Sequence, residues 1–123
     1  MRLALFACLL VGVWFRESVG CSILGMYLRD SVVCENCTKG TYGHAVGITM
    51  CTNCTAGTYS GAVGSAVCVM CDSGSYSSGT KATACIPCSA GTYAYLPGST
   101  MCAPCPDGTG SFPGSSVCVS CVL

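Results

Sequence analysis

Cysteine recurs along this chain with a period of seventeen residues, at Cys34, Cys51, Cys68, Cys85 and Cys102, followed by a sixteen-residue step to Cys118. Three positions after each stands a second cysteine: Cys37, Cys54, Cys71, Cys88, Cys105 and Cys121. A fixed period marks an array of small supersecondary units, and it outranks any single motif. Other positions keep the same phase. The second cysteine is followed at +3 by Gly40, Gly57, Gly74, Gly91 and Gly108, and at +5 by Tyr42, Tyr59, Tyr76 and Tyr93. In the fifth unit Gly110 takes the tyrosine slot, and Phe112 is the candidate ring two residues late. A further glycine stands at +10 in Gly47, Gly64 and Gly98, and one place early at Gly114; the third unit carries Lys81 there instead, with Gly79 nearby.

The units run 34–50, 51–67, 68–84, 85–101 and 102–117, with the start of another at 118–121 and a degenerate first repeat, containing Gly25 and Tyr27, at 21–33. Within each, Gly-Thr-Tyr reads as a turn into a strand of two or three residues, and the later glycine turns the chain back. Met50, Val67, Ala84, Met101 and Val117, just before the next cysteine, are apolar and placed to pack on the ring and the bridge. No helical periodicity exceeds one turn. The expected fold is small, disulfide-rich and mostly irregular with short β-hairpins. It is an elongated tandem array of ~17-residue cysteine-rich repeats, a slender rod in which each unit contacts mainly its neighbours.

Residues 1–20 differ in kind: Arg2 precedes the apolar run Leu3 to Phe15, and Ser18 and Gly20 suit cleavage before Cys21. The run is shorter than the roughly 20 residues a bilayer-spanning helix needs, so the segment reads as a secretory signal peptide. No later apolar run is long enough to span a membrane. Without residues 1–20 the chain keeps thirteen cysteines in 103 residues, a proportion above the roughly 8–10% that marks disulfide scaffolds. Ile, Leu, Val and Phe together number 17 of those 103, too few for an ordinary hydrophobic core. Covalent links must substitute. Three cations (Arg29, Lys39, Lys81) against four anions (Asp30, Glu35, Asp72, Asp107) leave a net −1, with no basic face for nucleic acid.

Cysteines at this spacing admit three chemistries. C-x-x-C, thirteen residues, then C-x-x-C lies close to four-thiolate zinc spacing, but thirteen mature cysteines do not divide into fours and a secreted chain meets an oxidising compartment. A redox pair needs a low-pKa thiol at a helix N-terminus or beside a cation, and the intervening dipeptides, from Glu35-Asn36 to Val119-Ser120, share no such chemistry. Structural disulfides are the expected use. Zinc binding stays as a rival reading, with no particular residues assigned to metal or cofactor.

The string Cys-x-x-Cys-x-x-Gly-Thr-Tyr-Ser, clearest at Cys51 to Ser60 and echoed in CVMCDSGSYS and CIPCSAGTYA, resembles the ephrin-receptor-like cysteine-rich repeat, similar in turn to growth-factor-receptor cysteine-rich regions. The resemblance covers essentially the whole chain after residue 20. It implies an extracellular module held by disulfides and carries no catalytic residues. Proline after the second cysteine, frequent in that family, is found here only as Pro106. Each cysteine-glycine-aromatic-glycine-cysteine stretch also resembles the last disulfide loop of EGF-like modules. That likeness implies Cys37–Cys51, Cys54–Cys68, Cys71–Cys85, Cys88–Cys102, Cys105–Cys118 and, in the degenerate unit, Cys21–Cys34. An interleaved pairing, as in tumour necrosis factor receptor modules, stays open. Under the first pairing Cys121 is left over, either opening a further loop of a longer array or joining two chains.

Asn36-Cys37-Thr38 and Asn53-Cys54-Thr55 are acceptor sequons for N-linked glycans at the same phase of adjacent units. The sole histidine outside 1–20, His44, has no acids beside it and makes a poor base or ligand. The tyrosines either pack on neighbouring disulfides or form an interaction stripe. Tyr95, Leu96 and Pro97 break the pattern and are expected on the surface. Asp107-Gly108-Thr109-Gly110-Ser111 has one carboxylate where calcium loops use several, and reads as a turn. No nucleophile-base pair or paired carboxylates appear, so no catalytic residues are assigned and an enzyme is not expected. The functional expectation is a secreted or cell-surface extracellular module, a spacer or a surface for a protein partner yet to be identified, whether alone or within a larger receptor-like or adhesion protein. A soluble receptor-like ligand binder is the other rival.

Overall fold

The computed structural model describes residues 21–30 and 33–122, so the leader expected over 1–20 lies outside the described residues. All the regular structure among them is β, in six two-stranded antiparallel hairpins. The first is the longest, with β1 (Met26–Arg29) against β2 (Val33–Asn36). The rest are two residues a side: β3 (Thr41–Tyr42) with β4 (Thr52–Asn53), and β5 (Thr58–Tyr59) with β6 (Val69–Met70). Then follow β7 (Ser75–Tyr76) with β8 (Ile86–Pro87), β9 (Thr92–Tyr93) with β10 (Ala103–Pro104), and β11 (Thr109–Gly110) with β12 (Val119–Ser120). The result is an all-β, disulfide-rich tandem array.

Each of the five short hairpins is started by the same local device, which the first, with Met26 after its glycine, lacks. The hydroxyl at +4 turns back on the carbonyl at +1: Thr58 donates from Oγ1 (2.8 Å) and from its N–H (3.0 Å) to the Thr55 carbonyl, and Ser75 repeats this on Asp72. This competition of a short polar side chain for the local backbone is what makes Thr and Ser turn residues. It carries the glycine at +3 into the left-handed region, φ 82° at Gly57 and 86° at Gly74. A disulfide then closes each hairpin, with Cα atoms 5.6 to 5.8 Å apart.

Backbone hydrogen bonds join successive units in a repeated set of three. From the Cys54 loop to the Cys71 loop, the Gly57 N–H donates to the Ser77 carbonyl (2.8 Å), the Ser60 N–H to Ala82 (3.1 Å), and the Lys81 N–H back to the Cys54 carbonyl (2.8 Å). One period on, Gly74 donates to Ala94, Ser77 to Ser99 and Gly98 to Cys71. Even the degenerate first unit keeps the set, as Gly25 donates to Gly43, Leu28 to Ile48 and Gly47 to Cys21. Two-residue strands are marginal alone, so these bonds between units supply the order that the hairpins lack.

Contacts reach further than the adjacent unit. A Cβ placed on Gly57 would collide with the carbonyl of Gly98, and one on Gly74 with that of Gly114, in each case two units along. The expectation of mainly nearest-neighbour contact is thus too narrow, because glycine at +3 lets a backbone from beyond the next unit close on it. What lies between the units is small. Cys37, Cys54, Cys71 and Cys88 are 0–1% exposed, and Ser60, Ser77 and Ala94, all at +6, are 2–3% exposed.

Two further expectations need correcting. Met50, Val67, Met101 and Val117 are not covered by packing on the ring and the bridge; they are 51–73% exposed, and Ala84 is exposed as well. Each lies in a bend just ahead of a half-buried cysteine, where nothing large covers it. Phe112 does not fill the missing tyrosine slot either: it is 79% exposed, while a Cβ on Gly110 would sit 3.6 Å from the Cys121 sulfur. Lys81 does take the place of glycine, with φ of 65° and the hydrogen bond to Cys54 intact.

Candidate interaction face

The disulfides join Cys21 to Cys34, Cys37 to Cys51, Cys54 to Cys68, Cys71 to Cys85, Cys88 to Cys102 and Cys105 to Cys118. Both cysteines of a C-x-x-C therefore belong to different loops, and the motif is a junction. Cys121 is free and exposed, although its N–H donates to the Gly108 carbonyl (2.9 Å) as the N–H of each bonded counterpart does one period earlier. Among the described residues no group of three or more His, Cys, Asp or Glu could hold a metal ion.

With cysteine and small residues inside, the large apolar side chains are left outside. Residues directly opposite in a hairpin share a face, so the pairs Tyr59↔Val69, Tyr76↔Ile86 and Tyr93↔Ala103 put one ring per unit beside the closing strand's outward residue. The tyrosines are half-buried, and Val69, Ile86 and Val119 are 51–58% exposed. Val67 and Val117, in the bends that lead into the closing strands, are exposed as well. The outcome is a ladder of tyrosine and aliphatic rungs on the outer face. Between rungs lie shallow open grooves. One of about 290 Å³ runs from Tyr76 to Met101 and Cys102, and one of about 300 Å³ from Tyr42 to Val67 and Cys68. Each places a tyrosine beside the disulfide of the next unit. Their size is at the lower limit for small-molecule sites.

The other candidate residues are scattered. Asn36 and Asn53 are exposed on β2 and β4. His44 is exposed, its ring 5.8 Å from that of Tyr42. Tyr95, Leu96 and Pro97 are on the surface, and Asp107 occupies an exposed turn. The one charged cluster among the described residues is on the first hairpin. There the Tyr27 hydroxyl donates to Glu35 Oε2 (2.7 Å), Arg29 pairs with Glu35 at 2.6 Å, and Arg29 Nε lies 3.5 Å from Asp30. The hydrogen bond to the carboxylate holds the Tyr27 phenol above its ordinary pKa, with desolvation adding to it. It ties the first hairpin together. Sequence reasoning passed over the +6 slot, although Gly43, Ser60, Ser77, Ala94 and Ser111 repeat a small residue there.

Fold and surface together define a disulfide-stapled, repeat-built module of extracellular type. The family described as tyrosine-protein kinase ephrin type A/B receptor-like matches twice, over residues 25–66 and 57–100. Since these matches span more than half of the 123 residues, the chain belongs to that receptor-like cysteine-rich repeat family. No curated protein matches it. Among the described residues no helix is long and apolar enough to cross a membrane.

Proposed function

We propose that the chain is exported and acts outside the cell as a stapled rod that both spaces and binds, using the tyrosine-aliphatic ladder as its face for an extracellular protein partner. The observation that carries this reading is the inversion of the usual pattern. Cysteine and serine are buried, while Val67, Val69, Ile86 and Met101 are 51–71% exposed at repeated positions. Contiguous exposed apolar surface of this sort marks interaction sites, and tyrosine is favoured there. On this reading the chain performs no catalysis, and Cys121 is free for an interchain bond.

Two measurements test it. The intact mass of the chain recovered from the medium of a eukaryotic cell should begin at Cys21 and show twelve oxidised cysteines; thirteen alkylatable thiols with bound zinc would replace this reading with the metal one. A Val69→Ser, Ile86→Ser, Met101→Ser triple variant should fold like the parent yet lose cross-linking to its partner on the cell surface. Unchanged cross-linking would leave the rod as spacer alone.

A further inference from the structure

Both sequons have cysteine as their middle residue, and the structure shows where that cysteine goes. Cys37 and Cys54 are fully buried in disulfides to Cys51 and Cys68. The rest of each tripeptide is engaged as well. The Cys54 N–H donates to the Gly40 carbonyl (2.9 Å), the Cys54 carbonyl accepts from Lys81 (2.8 Å), and the Thr55 carbonyl accepts from both the N–H and the hydroxyl of Thr58. At the other sequon, Cys37 donates to Gly25 (2.7 Å), accepts from Gly64 (2.7 Å), and the Thr38 carbonyl accepts from the N–H and hydroxyl of Thr41.

The asparagines themselves are not hidden. Both are exposed, and of the Asn36 carboxamide it is Oδ1, not Nδ2, that approaches the Gly64 position of the next unit. A finished array therefore has room for a glycan at these positions, but its sequons are locked into hairpin and stack, where a transferase cannot take the tripeptide as a separate segment. Releasing one would break the bonds between units and expose the buried cysteine of the bridge.

We infer that glycosylation at Asn36 and Asn53 is set by a race with closure of the disulfide that contains the sequon's own cysteine. In one course, Asn53 Nδ2 attacks the anomeric carbon of a lipid-linked oligosaccharyl diphosphate. The N–C bond forms, the carbon–oxygen bond to the diphosphate breaks, and Nδ2 releases one proton. In the other, Cys54 and Cys68 give two electrons and two protons to a disulfide oxidant of the secretory compartment, which leaves as a dithiol. Whichever comes first fixes the product: closure before transfer leaves Asn53 bare for the life of the folded chain. Each asparagine responds to its own loop, Asn53 to Cys68 and Asn36 to Cys51. The inference rests on export through a glycosylating compartment.

The test removes the partner cysteine and leaves the sequon intact. The full chain is expressed in a eukaryotic secretory cell in a Cys121→Ser background, so that a freed cysteine has no spare thiol to meet, and occupancy is read from peptide masses after enzymatic glycan release in heavy-oxygen water. Total chain is analysed, both cell-associated and in the medium, so that retention of a misfolded variant does not hide the result. Cys68→Ser should raise occupancy at Asn53 severalfold and leave Asn36 unmoved; Cys51→Ser should do the reverse. Equal rises at both sites in either variant would show general slowing of folding and overturn the inference, as would unmoved occupancy or no glycan in any variant. Retention of the parent in the cell with residues 1–20 attached would overturn the export reading as well, whereas a secreted parent with unmoved occupancy in the variants overturns this inference alone.

Discussion

Lys81 shows how the backbone can override side-chain chemistry. At φ of 65° it holds a conformation that costs an L-residue about 1–2 kcal/mol, yet it makes the same hydrogen bond to a cysteine carbonyl as Gly64 and Gly98 make. Replacing it should therefore help: Lys81→Gly is expected to stabilise the chain by roughly 1 kcal/mol, less than the full strain because glycine also loosens the unfolded state, read as a shift in chemical denaturation midpoint. Gly57 and Gly108 make a second comparison. Both have positive φ, 82° and 78°, but a Cβ on Gly57 meets the Gly98 backbone while one on Gly108 meets nothing within 4 Å. Gly108→Ala should cost about 1–2 kcal/mol from strain, and Gly57→Ala clearly more, the excess measuring the contact two units along. Tyr27 offers a pH test. Its folded pKa lies above the ordinary 10.0 because of Glu35, so the stability it contributes is present below that value and fades as pH rises through the folded one. In difference titration against Tyr27→Phe, tyrosinate absorbance should appear later than for a model phenol, and Glu35→Gln should bring it earlier.

A single unit is a turn, four paired residues and a bridge, which is too little to persist without its neighbours. The bridge constrains a loop whose cysteines are 13 or 14 residues apart, for which loop-closure entropy assigns about 3 kcal/mol. Position in the array should modulate that figure. Cys71 is fully buried under the following unit, whereas Cys105 is half-exposed. Removing Cys71–Cys85 by double serine substitution should therefore cost more than removing Cys105–Cys118, since it leaves one hydroxyl fully buried where the Cys71 sulfur packed. Calorimetry of the two variants checks the order. The slot at +6 is equally demanding: Ser77→Leu inserts a bulky side chain where 3% of the serine is exposed, and should cost about 1–3 kcal/mol through overpacking.

Across the whole molecule, stability is distributed over similar junctions, each closed by the same three hydrogen bonds, so unfolding should follow the one-dimensional logic of repeat proteins. Reduction with alkylation should abolish the fold altogether, because no large apolar core remains once the bridges are gone; retention of the native far-UV spectrum after full reduction would contradict this.

Much of that organisation is legible in the sequence. The period, the demand for covalent links, and a hairpin at every Gly-Thr-Tyr follow from residues whose chemistry is local: cysteine oxidises, glycine tolerates positive φ, threonine bonds the turn beneath it. The mode of stacking was not legible. Bonds such as Gly57 to Ser77 are made by backbone groups that every residue carries, so they leave no mark in the sequence beyond the requirement for something small at +6. Nor could the sequence decide which way Val67, Met101 and the tyrosines face. With cysteine and small residues filling the space between units, no large core is left to bury them, and only the assembled stack shows that so many of the chain's apolar residues lie at its outer surface.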